Sequence, residues 1–236
     1  MPEPYLTSHG KLSPHWHTLR EEIKAANRKG IKDVDLTAEA TATMLVASLS
    51  GKETRRANRH RGDPIPVIPF RQIGADWDAW FGYREVWKPT SQSRFAFSSA
   101  DLTIFFAPVE TEAFEQVLRA EWMGPNELDT NIWSFRPENA GHPHWQIDVT
   151  ETLQANADYQ SAMELVRAPD VPREFGVEPE KSSPVAPWIN LGRIHFASSM
   201  RPWLDSHIAH RPQDLGQIRQ WVISTLSILD SEFERL

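Results

Sequence analysis

The sequence predicts an α+β domain with an antiparallel sheet, an N-terminal helical pair and a packed C-terminal helix. Short runs of alternating polar and apolar residues lie close together with turn signals between them, which is the mark of hairpins. Segments of helical period stand at both ends of the chain. Hairpins and helices mixed in this way favour an antiparallel sheet over a doubly wound parallel one.

Ser13-Pro14 has the form of a helix start, Ser as N-cap and Pro in the first turn, and Trp16, Leu19, Ile23 and Ala26 follow at helical spacing up to a C-cap at Gly30. A second helix is expected from about Thr37 to Ser50, rich in Ala and Thr, with Met44, Leu45 and Leu49 as its apolar stripe and Gly51 as its end. The basic stretch 52–61 comes next. Asp63 to Pro69 is extended, because Pro64, Pro66 and Pro69 forbid a helix. This change of character divides an N-terminal helical arm, 1–62, from an α+β domain, 63–236.

Within that domain Tyr83–Trp87 reads as a strand. Arg94–Ser98 and Leu102–Ala107 read as two strands joined at Ser99-Ala100-Asp101. Thr111–Trp122 turns to helical period, with Phe114, Val117, Leu118 and Trp122 on one side. Asn131–Phe135 and His142–Val149 form a hairpin pattern, and 150–167 is weakly helical. The 168–187 stretch holds five prolines and is a long loop. A strand at 191–197 precedes the clearest helix, Pro212 to Arg235, where Leu215, Ile218, Val222, Leu226, Leu229 and Phe233 repeat at threes and fours.

The 236 residues are 40% hydrophobic and include ten Trp and eleven Phe, enough for a sizeable core. The dense run Trp77, Trp80, Phe81, Tyr83 and Trp87 reads as core for most of its rings, with an exposed partner surface as the other reading. The chain has no cysteine. That excludes disulfides, Cys-based zinc sites, iron–sulfur clusters and thiol nucleophiles, so a transition metal would be held by His, Asp and Glu. There is no apolar run long enough to span a membrane and no secretory signal pattern at the N-terminus, so no membrane partner is expected and the cytoplasm is the expected location. The P-loop, G-x-G-x-x-G, G-x-S-x-G and H-E-x-x-H patterns are all absent.

Net charge is −7 but uneven: residues 1–62 carry 11 Lys and Arg against 7 Asp and Glu, and residues 63–236 carry 14 against 25. The basic positions Lys52, Arg55, Arg56, Arg59 and Arg61 are candidates for phosphate contact with nucleic acid, the first four falling on one face of a helix if the segment is helical. A solvated helix end is the alternative.

The most informative pattern is a pair of strand-like segments. In Gly141-His142-Pro143-His144-Trp145-Gln146-Ile147-Asp148 the even positions are polar and the odd ones from Trp145 apolar; Arg193-Ile194-His195-Phe196 alternates likewise. Paired, they would gather His142, His144 and His195 as ligands for a divalent transition metal, with Asp148 or Glu151 as a further ligand or general base for a metal-bound water. The same face, with Arg193, would equally suit an anionic small molecule, or it is a hydrated sheet face. His207 and His210, with Asp205, lie in a punctuated loop. His15 and His17 flank Trp16 and read as surface residues.

The run Phe135-Arg136-Pro137-Glu138, then His142-Pro143-His144, Arg193-Ile194-His195-Phe196 and a closing amphipathic helix resembles a group of uncharacterised bacterial proteins of mobile elements and defence islands. The resemblance covers 131–236. It implies a bacterial setting among antiviral defence proteins and no specific activity. His142-Pro143 is also similar to the His-Pro-Asn element of ubiquitin-conjugating enzymes, but without a cysteine no thioester chemistry is available.

These features together lead to the expectation of a non-catalytic subunit or binding module of a bacterial multiprotein assembly. Another protein subunit is its expected partner and nucleic acid a further one. The alternative is a His-dependent metal hydrolase acting on phosphoesters or nucleic acid.

Overall fold

The computed structural model of the chain describes residues 4–60, 63–90, 93–124, 143–147 and 211–236. The elements run β1 (Leu6–Ser8), α1 (His9–Ala26), β2 (Asp35–Ala40), β3 (Leu45–Ser50), β4 (Arg55–Ala57), β5 (Ile65–Ile73), β6 (Trp77–Pro89), β7 (Arg94–Pro108), β8 (Glu115–Met123), β9 (His144–Ile147) and α2 (Leu215–Phe233). The nine strands form one antiparallel sheet, so the expected α+β class is observed.

The β6–β7 pair is the spine of the sheet. At 13 and 15 residues, these strands are long enough for each to take two partners along its outer edge. β5 lies beside the first half of β6 and β3 beside the second. β1 and β8 divide β7 in the same way, and β9 follows β8. One extra residue interrupts the pairing at Phe70 in β5, at Ser98 in β7 and at Val117 in β8. Such bulges raise the local right-handed twist, and here they accompany a sheet that curls.

Both helices contribute to the main core. From α1 come Leu12, Trp16, Leu19 and Ile23; from α2 come Ile218, Val222, Leu226, Leu229 and Phe233. They meet Phe81, Trp87, Leu102, Ile104, Phe106, Leu118 and Trp122 of the sheet. Burying each large apolar side chain contributes roughly 1.5–3 kcal/mol, so this interface dominates the stability of the domain. α2 starts at Leu215, a little past the expected Pro212: the Asp214 carboxylate accepts from the Gln217 amide at 2.8 Å, and the Gln217 side chain accepts from the Gln213 amide at 2.8 Å.

Several expectations are corrected. The second helix of the N-terminal pair is the β2–β3 hairpin, in which Leu45, Ala47 and Leu49 are buried with period two. The Thr41 hydroxyl shapes the turn by accepting from the Thr43 and Met44 amides. Thr111–Trp122 is not a helix but the approach to β8 and most of that strand. Arg94–Ser98 and Leu102–Ala107 are parts of one strand, β7, and Ser99-Ala100-Asp101, read as a turn, continue it in register with Val86, Glu85 and Arg84, just past the bulge at Ser98. α1 begins at His9 and carries Pro14 inside it. Strands from both sides of residue 62 share one sheet, and α1 shares the main core, so 1–62 does not stand apart as a helical arm.

The expected extended segment at 63–69 is the start of β5, and the expected strand at Tyr83–Trp87 lies within β6. The readings for 131–135, 150–167, 168–187 and 191–197 lie outside the described residues. Among the described residues no helix is long and apolar enough to cross a membrane.

Candidate functional site

Strand alternation gives the sheet two chemically different faces. On the helix-covered face the aromatic strand β6 places Tyr83, Glu85 and Trp87 in line, and Glu85 is completely buried. Its carboxylate accepts four hydrogen bonds: from His15 Nε2 at 3.0 Å, Trp16 Nε1 at 3.0 Å, the Tyr83 hydroxyl at 2.5 Å and Trp87 Nε1 at 2.5 Å. Arg219 of α2 reaches the other ring nitrogen of His15 at 3.4 Å. Burial pushes the Glu85 carboxyl up, but the pull of His15 and the bonds from His15, Tyr83 and Trp87 outweigh it and hold the group below the usual carboxylate range. This cluster ties α1, β6 and α2 together and is closed to solvent, so it serves the fold.

The sequence reading placed His15 on the surface. It is 2% exposed because it shares the stripe of Leu12, Trp16 and Leu19, spaced three and four apart, and that spacing was the available signal.

The opposite face carries the candidate site. Arg84 on β6 stands across from Asp101 on β7, Asp101 stands across from Glu121 on β8, and His144 on β9 takes the register position opposite Glu121. The next row runs Gly82, Thr103, Arg119 and Gln146. Directly opposed residues of antiparallel strands share a face, so Arg84, Asp101, Glu121 and Arg119 gather on one surface. Arg119 Nε lies 2.9 Å from the Glu121 carboxylate.

Arg59, on the link after β4, adds a third guanidinium to the field around Asp101; its Nε donates to the Asp63 carbonyl at 2.9 Å. Arg59, Arg84, Asp101, Arg119 and Glu121 are all partly exposed. Burial pushes the Asp101 carboxyl up to about 6; Glu121 adds to this, while Arg59, Arg84 and Arg119 oppose it. Desolvation also draws the Arg59 guanidinium below its usual range, against the pull of Asp101.

A small apolar cluster flanks this row. Ala57, Ile65, Val67 and Phe105 are buried together, with Trp80 and Phe114 packed against them. The Trp80 and Phe114 rings meet edge-on at 5.0 Å. Of the dense aromatic run, Trp77, Phe81, Tyr83 and Trp87 are buried and Trp80 is partly exposed.

The basic stretch is not a helical face. Gly51 to Thr54 turn the chain, and β4 then sets Arg55 and Arg56 on alternate sides of a short strand. Arg55 pairs with Glu112 at 2.6 Å, and Lys52 lies 3.8 Å from Asp33. Arg55 and Arg56 line a shallow groove of about 460 Å³ together with Thr37, Glu39, Ser48 and Thr54. Arg59 lies apart from this groove, beside Asp101, and Arg61 is outside the described residues.

Of the proposed metal and catalytic residues, His142, Asp148, Glu151, His195 and Arg193 lie outside the described residues, as do Asp205, His207 and His210. His144 is placed by its backbone alone, on β9. Among the described residues there is no group of three or more His, Asp or Glu that would hold a metal ion. Sequence reading missed Arg84, Asp101, Arg119 and Glu121. Asp101, Arg119 and Glu121 each stand between apolar or aromatic residues of a strand, Arg84 stands between Tyr83 and Glu85, and the Arg119-x-Glu121 alternation was hidden by reading that segment as a helix.

Comparison with protein-family models, with curated proteins and with solved structures finds no match for this chain.

Proposed function

We propose that the chain is a non-catalytic binding module, a subunit that joins a larger protein assembly through the charged face of its sheet. The observation that carries the reading is the row Arg84–Asp101–Glu121, held in register and partly exposed on the face opposite the main core. Half-buried charges of both signs lose hydration without full compensation inside the domain. Set against a partner of complementary charge, the same groups orient the complex and reject wrong partners. The exposed edge of the neighbouring Trp80–Phe114 cluster supplies an aromatic contact of the kind that anchors interfaces. The likeness of the 131–236 stretch to defence-island proteins supports placing that assembly in bacterial defence.

The test is isolation of the protein from its native cells under mild conditions. Wild type is expected to co-purify with a stoichiometric protein partner, as is Lys11→Glu, a charge reversal at an exposed position on α1. Arg84→Glu is expected to purify alone while still unfolding cooperatively, at a lower melting temperature because it sets a third carboxyl beside Asp101 and Glu121. A wild-type chain that runs as an isolated monomer overturns the reading, as does an Arg84→Glu variant that keeps the partner.

A further inference from the structure

The sheet face around Asp101 has a chemistry of its own. Three guanidinium groups, Arg59 from the link after β4, Arg84 from β6 and Arg119 from β8, face two carboxyls, Asp101 and Glu121. Arg119 Nε lies 2.9 Å from the Glu121 carboxylate. Arg59 spends its Nε on the Asp63 carbonyl. Arg84 and Asp101 face each other across adjacent strands, and among the described residues neither side chain makes a hydrogen bond or ion pair.

One row further on, the Thr103 hydroxyl is fully buried and has no hydrogen-bond partner. It lies two residues from Asp101 on the same strand face. Unused guanidinium donors, a buried hydroxyl and a surplus of positive charge are the elements that recognise an oxyanion.

We propose that Arg84 and Arg59, with Asp101 and Thr103 beside them, form a binding site for a single anionic group, the sulfate, phosphate or carboxylate of a ligand. This inference rests on the reading of that face as a binding surface. Asp101 makes the site proton-dependent. Ionised, its carboxylate occupies the positive field and repels the anion. Protonated, it leaves the arginines unopposed except by Glu121 and offers its O–H as a further donor. Its carboxyl is pushed up to about 6, so the change falls within the mildly acidic range. Anion binding therefore strengthens as the pH falls through that value. The described groups that act on Asp101 are Arg59, Arg84, Arg119 and Glu121; His144 takes the register position beyond Glu121, so it is the Asp101→Asn variant that assigns the proton dependence to Asp101.

Sulfate is the suitable probe because its charge is constant between pH 5.5 and 7.5. Titration calorimetry of the full chain with sodium sulfate at constant ionic strength is expected to show one saturable site. Its affinity should fall up to about 25-fold over that pH range, the limit set if only the protonated form binds. Asp101→Asn is expected to bind sulfate with equal affinity at both pH values. Arg84→Gln is expected to lose about tenfold or more at both, while Arg94→Gln, at the start of β7, matches wild type.

Absence of saturable sulfate uptake at pH 5.5 overturns the proposal, and so does a pH slope that survives in Asp101→Asn. The two readings fail separately. Saturable, proton-linked sulfate binding by a chain that has no protein partner leaves the anion site standing and removes the docking face. A partner lost in Arg84→Glu from a wild type that ignores sulfate does the reverse.

Discussion

His15 and Glu85, separated by 70 positions in the chain, meet at 3.0 Å with neither side chain exposed. The contact is the centre of a network in which a helix, an aromatic strand and the C-terminal helix share one carboxylate. Every donor around Glu85 would be left unpaired in the core if that oxygen pair were lost.

Glu85→Gln keeps the shape but turns one acceptor into a donor that faces other donors. It is expected to destabilise the domain by about 3 kcal/mol at neutral pH, measured by urea unfolding followed through tryptophan fluorescence. The folded-state carboxyl is lowered from its ordinary 4.5, so its contribution is complete above that value and is lost as the pH falls through the folded-state value. The gap between wild type and variant should therefore narrow below pH 4.5. A gap that stays constant on acidification would show that Glu85 is not the ionised acceptor.

Asp101 has the opposite sign. Its carboxyl is raised from 3.8 to about 6, so between those values the folded chain binds more protons than the unfolded one. Stability from this group falls as the pH rises through that window and stays low above it. Asp101→Asn is neutral throughout. It is expected to be more stable than wild type by about 1–2 kcal/mol at pH 7.5, allowing for partial solvent access, and close to it at pH 4. Urea unfolding at the two pH values decides, and a variant less stable at pH 7.5 contradicts the assignment.

Asp230 clamps α2 to the rest of the fold. Its carboxylate lies 2.6 Å from Arg71 Nη1 and 2.8 Å from Arg28 Nε, and Arg71 also donates to the Asp230 carbonyl at 2.8 Å. Asp230→Ala is expected to cost about 2 kcal/mol. The double variant with Arg71→Ala should be less destabilised than the sum of the singles by about 1 kcal/mol, since each single change strands a partner. Strict additivity in that cycle would place the clamp elsewhere.

Two glycines should respond very differently to alanine. At Gly51, φ is +134° and a Cβ would stand 2.0 Å from the Asp33 carbonyl oxygen, so Gly51→Ala forces the backbone to move and is expected to cost about 3 kcal/mol. Gly74 also has a positive φ, +59°, but open space around it, and Gly74→Ala should cost about 1 kcal/mol. Thermal unfolding of the two variants side by side tests the difference.

The two helices were legible because a helix is a local object. Ile218, Val222, Leu226, Leu229 and Phe233 mark one face of α2 by spacing alone, although the helix starts at Leu215 rather than at Pro212. The strands were legible only in part. At β8 the bulge at Val117 puts two consecutive buried residues, Val117 and Leu118, into the strand, and the broken alternation imitates a helical stripe. At β2–β3 the Ala, Glu, Met and Leu residues favour a helix when taken alone. Burial of Leu45, Ala47 and Leu49 against the sheet overrides that preference.

Of the candidate site only Arg59 stood out in the sequence, as one of the basic stretch. Arg84, Asp101 and Glu121 are 17 and 20 positions apart, and no spacing in the chain announces them. Composition and periodicity suffice for an α+β chain without thiol chemistry, closed by an amphipathic helix, since those properties depend on residue types and on neighbours a turn away. Which residues face one another across β6, β7 and β8 depends on strand register. Register is set by long-range pairing and by three bulges, and it exists only once the sheet has formed.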